Sequence, residues 1–314
     1  MPSPAASPPG APGRLEELAD GVYAYVQPDG GWCVSNAGIL TEPGHGGRPV
    51  LIDTAATESR AKALRAALGR LTPEAPRLIV NTHFHGDHTF GNAVLAGPGT
   101  VVVAHERTRT EMAAAGLGLT GLWPGVEWGD VELMLPDLTY RDALTLHHGG
   151  RTIELIHPGP AHTTNDTLVW LPDERVLFAG DVLLPGCTPF LLMGSVIGSL
   201  GTLDLVRKLD PRIIVGGHGP VSGPEVLAET EAYLRGLLER AVQGREAGLT
   251  PLQAARRCGP EFYPELRDPE RLLANLHRAY AELDGRPPGH PLDVVGIFGE
   301  MVEYNGGVLP LSHA

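Results

Sequence analysis

The sequence predicts a mixed α/β fold in which two sheets pack face to face with helices outside. Three observations carry this. Short apolar strand runs separated by Gly/Pro-rich turns occur in both halves of the 314 residues. Each half also holds helical patterns, and from residue 223 onward the chain turns helical.

In chain order, GVYAYVQ (21–27), WCVSNAGILT (32–41) and PVLIDTA (49–55) read as strands, because apolar, β-branched and aromatic residues fill them and turn residues bound them. ESRAKALRAALGRL (58–71) is helical. RLIVNT (77–82) and TVVVAH (100–105) are buried strands. LTLHHGG (144–150) and RTIELIHPG (151–159) pair through a Gly149–Gly150 hairpin turn, followed by DTLVWLP (166–172) and ERVLFAGD (174–181). A helix around 200–209 precedes IIVGGHG (213–219). Helices then follow at 224–243, 251–257, 269–283 and near 292–304. No break marks a second domain, so residues 15–314 read as one domain whose helical part, from about 223, packs onto the same body.

Residues 1–14, rich in Pro, Ala and Ser, read as a disordered leader without a secretory core segment. The longest apolar stretch, VLLPGCTPFLLMGSVIGSL (182–200), is interrupted by prolines and glycines and does not read as a membrane span. Cys33, Cys187 and Cys258 are odd in number and far apart, which fits a reducing compartment better than a disulfide framework. A net charge of −13 argues against a nucleic-acid partner. The expectation is a soluble, cytoplasmic protein.

NTHFHGDHTFGN (81–92) crowds three of the chain's 13 histidines and an aspartate into six positions. Unpaired buried imidazoles and carboxylates cost kcal/mol, so a core has no use for them there. In extended backbone, side chains at 83 and 85 point the same way and can grip one ion. Gly86 permits a tight turn that lets Asp87 and His88 reach a neighbouring ion. Imidazole and carboxylate without thiolate suit zinc, with iron or manganese open on ligand type. His105 and His157 are nearer in sequence to these loops than the remaining histidines and are candidates to support the ligands. There is no GxSxG elbow, since Gly194–Gly198 reads GSVIG, and neither a P-loop nor GxGxxG is present.

The HxHxDH pattern resembles the signature of the metallo-β-lactamase superfamily, and GPAHT (His162), FAGD (Asp181) and GGHGP (His218) follow in that family's order. The resemblance implies an αββα sandwich with a helical C-terminal extension and two Zn²⁺ ions. One ion would be held by His83, His85 and His162, the other by Asp87, His88 and His218, with Asp181 bridging. Asp87 and Asp181 would serve catalysis directly. Such a pair activates water near neutral pH and polarises a carbonyl, which is the chemistry of ester, thioester or amide hydrolysis and also of enolate stabilisation.

Further stretches are similar to the cyclase/thioesterases of aromatic (type II) polyketide pathways, of the actinorhodin type. They are GGWCVSNAGI (30–39), TGLWPGVEWGDVEL (120–133), TPFLLMGSVIGSL (188–200), PLQAARR (251–257), LLANLHRAYAEL (272–283) and MVEYNGG (301–307). This implies second-ring closure or thioester release of a polyketide presented by an acyl carrier protein. Trp32, Trp123, Trp128, Phe190 and Met193 would line an apolar, aromatic pocket, with Trp32 on a flap after a PDGG turn. An acidic carrier protein would need a basic patch, for which Arg107, Arg109, Arg256 and Arg257 are candidates. The alternative is another acyl hydrolase of the same fold, a lactonase or a glyoxalase-II-like thioesterase.

Overall fold

The computed structural model describes residues 13–42, 47–259 and 261–314. The first sheet takes its strands in sequence order: β1 (Arg14–Ala19), β2 (Val22–Val26), β3 (Ala37–Leu40), β4 (Val50–Ile52), β5 (Leu78–Val80), β6 (Val101–His105) and β7 (Leu138–Tyr140). Helix α1 (Glu58–Leu68) crosses from β4 to β5, the short α2 (Gly86–Thr89) and α3 (Asn92–Leu95) lead to β6, and α4 (Glu106–Ala115) and α5 (Leu119–Leu122) lead to β7. β1 to β4 pair antiparallel, whereas β4 to β7 run parallel.

The second sheet has the order β12-β11-β10-β9-β8. Its strands are β8 (Ala143–His148), β9 (Arg151–Ile156), β10 (Leu168–Leu171), β11 (Val176–Gly180) and β12 (Ile213–Gly216), with α6 (Val196–Leu209) crossing between the parallel pair β11 and β12. Four helices follow: α7 (Glu225–Glu246), α8 (Pro251–Cys258), α9 (Arg271–Leu283) and α10 (Val294–Tyr304).

Side-chain alternation assembles these into four layers. In β2, Val22, Ala24 and Val26 face the second sheet and meet Leu155, Val169 and Phe178, while Tyr23 and Tyr25 face outward onto Leu64 and Leu68 of α1. On the far side, Leu168, Trp170 and Leu177 share one core with Leu234, Leu273 and Phe298 of the C-terminal helices. The layering is αββα, as the sequence predicts.

Several elements differ from the sequence reading. Arg14 opens β1, so only residues 1–12 of the expected leader lie outside the described residues. Residues 32–36 are not strand: Trp32 forms only an isolated bridge with Ser312. α4 is missed by apolar periodicity because it buries little beyond Thr108 and Met112.

Candidate metal centre

The seven sequence-predicted ligands converge, because their loops leave strand ends at one rim of the sandwich. The motif loop follows β5, Asp181 follows β11 and His218 follows β12, the carboxyl-end position at which parallel sheets present ligand sites. His162 comes from the loop before β10. Two groups result, His83, His85, His162 and Asp181 in one and Asp87, His88 and His218 in the other, each with its donor atoms within 4.8 Å of one another.

Asp87 and His88 reach the second group from a helical turn, not from extended backbone. Gly86, which opens that turn, is needed for space: a Cβ there would lie 2.4 Å from the Phe90 ring. Gly217 is constrained likewise, since its Cβ would fall 1.9 Å from Asp181 Oδ1.

In the first group His85 Nδ1 lies 3.0 Å from His83 Nε2 and 2.9 Å from His162 Nε2. Three imidazole nitrogens cannot all satisfy one another at that range, and their spacing approaches the ~3.3 Å edge of a tetrahedron with zinc–nitrogen bonds of about 2.0–2.1 Å. In the second group Asp87 Oδ2 lies 3.2 Å from His218 Nε2 and 3.6 Å from His88 Nε2. Asp181 stands between the groups, with Oδ1 3.1 Å from His88 Nε2 and Oδ2 3.5 Å from both His162 and His218 Nε2. His88 Nε2 and Asp181 Oδ1 are buried without a hydrogen-bond partner among the described residues, as expected of donor atoms reserved for a cation.

The outer ring nitrogens of four of the five histidines are occupied, while His85 Nε2 is buried without a hydrogen-bond partner among the described residues. His83 Nδ1 lies 3.1 Å from Thr82 Oγ1, His88 Nδ1 2.9 Å from Asp53 Oδ2, His162 Nδ1 2.5 Å from the Phe190 carbonyl and His218 Nδ1 3.1 Å from the Gly31 carbonyl. Such bonds orient imidazoles and present the other nitrogen inward. Asp53, in the left-handed region at φ 57°, also accepts Thr82 N–H at 2.7 Å and Thr82 Oγ–H at 2.6 Å. Its strand-end place in PVLIDTA matches that of Asp181 in FAGD and is the signal by which the sequence could have revealed it.

The electrostatics fit a cation. Burial draws His83, His85 and His162 down, and repulsion from neighbouring imidazoles adds to this, taking His85 to about 3; their lone pairs are free. Burial would lower His88 and His218 too, but Asp181 and Asp87 raise both, His218 to about 9. Burial pushes Asp87 and Asp181 up, yet the facing imidazoles hold both below the usual carboxylate range. The histidine and aspartate groups fit a metal site.

Beside the centre lies a narrow cavity of about 70 Å³. Of the residues expected to line it, Trp32, Trp123, Phe190 and Met193 do. Trp128 does not: it turns aside to pack on Phe90 (centroids 6.2 Å apart) and donates its indole N–H to the Trp123 carbonyl at 3.2 Å. Arg271 and Val294, Phe298 come from α9 and α10, and Leu119 and Leu122 from α5; sequence reasoning missed all five. Trp32 is pinned rather than a free flap. Its ring lies 5.3 Å from Trp123, 5.0 Å from Phe190 and 5.9 Å from Phe298, and its N–H donates to Glu270 at 2.6 Å. The C-terminal segment ties both tryptophan loops, since Trp123 N–H donates to the Pro310 carbonyl and Ser312 Oγ to the Trp32 carbonyl.

His105 and His157 stack on each other at 4.0 Å and hydrogen-bond no member of the two groups. No described helix is long and apolar enough to cross a membrane.

Comparison with known proteins agrees with this geometry. The chain is 24% identical over 239 residues to a metallo-β-lactamase type 2 of Bacteroides fragilis, covering 72% of this chain and 86% of that one. It is 29% identical over 173 residues to a hydroxyacylglutathione hydrolase of Methylococcus capsulatus, covering 54% of this chain and 56% of that one. It is 28% identical to the alpha subunit of a 2,4-dinitroanisole O-demethylase of Nocardioides, covering 66% and 55%. Among solved structures, a metallo-β-lactamase from Pontibacter korlensis shares the fold with a TM-score of 0.57 at 20% identity, covering 71% of this chain and 99% of that one. The family model described as the metallo-β-lactamase superfamily matches residues 30–218, a span that ends on the last of the seven converging side chains. With that match and the two-group centre together, the chain belongs to the metallo-β-lactamase superfamily.

Proposed function

We propose that this protein is a dinuclear zinc enzyme acting on the thioester of an aromatic polyketide intermediate, closing a ring, releasing the acyl chain, or both. The observation that carries the reading is the wall beside the metal groups: Trp32, Trp123, Phe190 and Phe298 gather around one cavity that His85, Asp87, His162, Asp181 and His218 also line. Flat rings stack and bury well against such surfaces, at roughly 25 cal/mol per Å² of apolar area.

His83, His85 and His162 would hold one ion, Asp87, His88 and His218 the other, and Asp181 both. Zinc bound there would lower the pKa of a water toward neutrality and polarise an acyl carbonyl. The chain's own part is to fix these side chains through Asp53, Thr82 and the Phe190 and Gly31 carbonyls, and to exclude bulk water with the indole walls. Asp181, between the groups, would orient the attacking water, with Asp87 beside it as a second carboxylate serving catalysis directly. Of the elements lining the cleft, α5 buries none of its residues fully, though Leu119 and Leu122 pack against the main core. Presentation by an acyl carrier protein belongs to this reading; of the basic candidates, Arg256 is already paired with Glu303 at 2.6 Å, while Arg107 is exposed.

The similarity to hydroxyacylglutathione hydrolases favours a second reading, hydrolysis of a small soluble thioester. Mass spectrometry of products from carrier-bound and free aromatic thioesters, run beside a glutathione thioester, separates the two. The proposal expects a kcat/KM larger by orders of magnitude for aromatic acyl groups, a gap that Phe190→Ala or Trp123→Ala narrows with metal retained. Equal turnover of glutathione thioesters, unchanged in those variants, retires it in favour of the second reading.

A further inference from the structure

The cavity contains one cation that the reaction chemistry does not use. Arg271, at the start of α9, is the only lysine or arginine among the described residues lining it, and it is 2% exposed. Nη1 donates to the Thr188 carbonyl at 3.0 Å, Nη2 pairs with Asp268 at 2.8 Å, and the guanidinium lies over the Trp32 ring at 4.1 Å. Nε has no hydrogen-bond partner among the described residues. A buried N–H left unpaired is costly, and here it belongs to a side chain that borders the space where substrate rings would lie.

Resting on the reading above, we propose that Arg271 is a substrate-binding residue that donates a hydrogen bond to a carbonyl or phenolic oxygen on the ring system, so that the enzyme selects oxygenated rings over bare hydrocarbon ones. Asp268 already balances the guanidinium charge, which favours a neutral or weakly acidic oxygen over a carboxylate. Trp32 supplies the adjoining flat surface, and the Glu270 bond to its indole N–H sets that surface in register with Arg271. A site built to hydrogen-bond a polar group rejects the analogue lacking it far more strongly than an apolar pocket rejects a size change.

The test uses zinc-loaded full-length protein and unhydrolysable pantetheine thioethers of naphthalene, one bare and a set hydroxylated at each ring position, with Kd read from quenching of tryptophan fluorescence. At least one hydroxylated isomer is expected to bind the wild type tighter than the bare ring by on the order of 10- to 100-fold, the range for a bond to a charged donor. In Arg271→Lys, which keeps a cation opposite Asp268 but lacks the Nε–H, the preference for the hydroxylated isomer should shrink to about twofold. Equal wild-type affinities for bare and hydroxylated rings overturn the Arg271 assignment and leave the polyketide reading standing; that comparison needs no variant. A preference that survives in Arg271→Lys also overturns it. If no naphthyl ligand binds while a glutathione thioester is turned over, the reading beneath it falls as well.

Discussion

Asp181 touches members of both groups, whereas His147 is exposed on β8 and touches neither. Asp181→Ala should therefore lose most activity and much of the bound metal, and His147→Ala should lose neither, as activity assays and elemental analysis of the two variants would show. Equal losses would mean that the assignment of the centre is wrong. A second residue-scale prediction concerns pH. Burial first, then His157 and Arg107, draw the His105 pKa down to about 4, and its neutral Nδ1 caps α4 by accepting the Arg107 N–H in the first turn. A depressed folded pKa means that the unfolded chain takes up the proton first, near 6.5. The stability this group contributes is present above that value and is lost as pH falls toward 4. His105→Asn keeps a capping acceptor without the titration, so its melting temperature should fall less steeply than the wild type's between pH 6.5 and 4; parallel slopes would contradict this. His83, His85, Asp87 and His88 were legible from their crowding in six positions, and His162, Asp181 and His218 through the resemblance to the superfamily, whose order they follow. Trp128 was misread because its distance from Trp123 in sequence places it on the same loop, while packing on Phe90 decides which way it faces.

At the scale of elements, the helical C-terminal layer shares its core with the second sheet instead of forming a separate one. Leu273 on α9 is fully buried in that core, and Leu273→Ala should cost about 2–5 kcal/mol, read from the shift in urea midpoint. Unfolding should remain a single transition, because the removed contacts are common to helix and sheet. Two resolved transitions would show that α7 to α10 melt as a unit of their own. The helices themselves were legible from apolar spacing. What they bring to the cavity was not: Arg271 heads a helix and reads in sequence as a solvated charge, and Phe298 reads as one more apolar position. Both meet Trp32, more than 200 residues earlier, only through tertiary packing. β1 and β7 were missed for a related reason, since each is an edge strand with few fully buried residues.

For the whole molecule, an αββα body brings strand ends from both sheets to one rim, and at that rim three carboxylates, Asp53, Asp87 and Asp181, surround His88. Such a cluster of buried carboxylates and imidazoles favours bound cations, and seven donor side chains exceed what one four-coordinate zinc uses. A protein organised this way should also gain stability on loading, since an ion that binds only the folded state shifts the folding equilibrium toward it. The most direct measurement is the metal content of chelator-free purified protein by elemental analysis, followed through a zinc titration of the stripped chain. The dinuclear account predicts a plateau at two ions per chain, with activity reaching its maximum only as the second is taken up. Full activity at a plateau of one ion would contradict it.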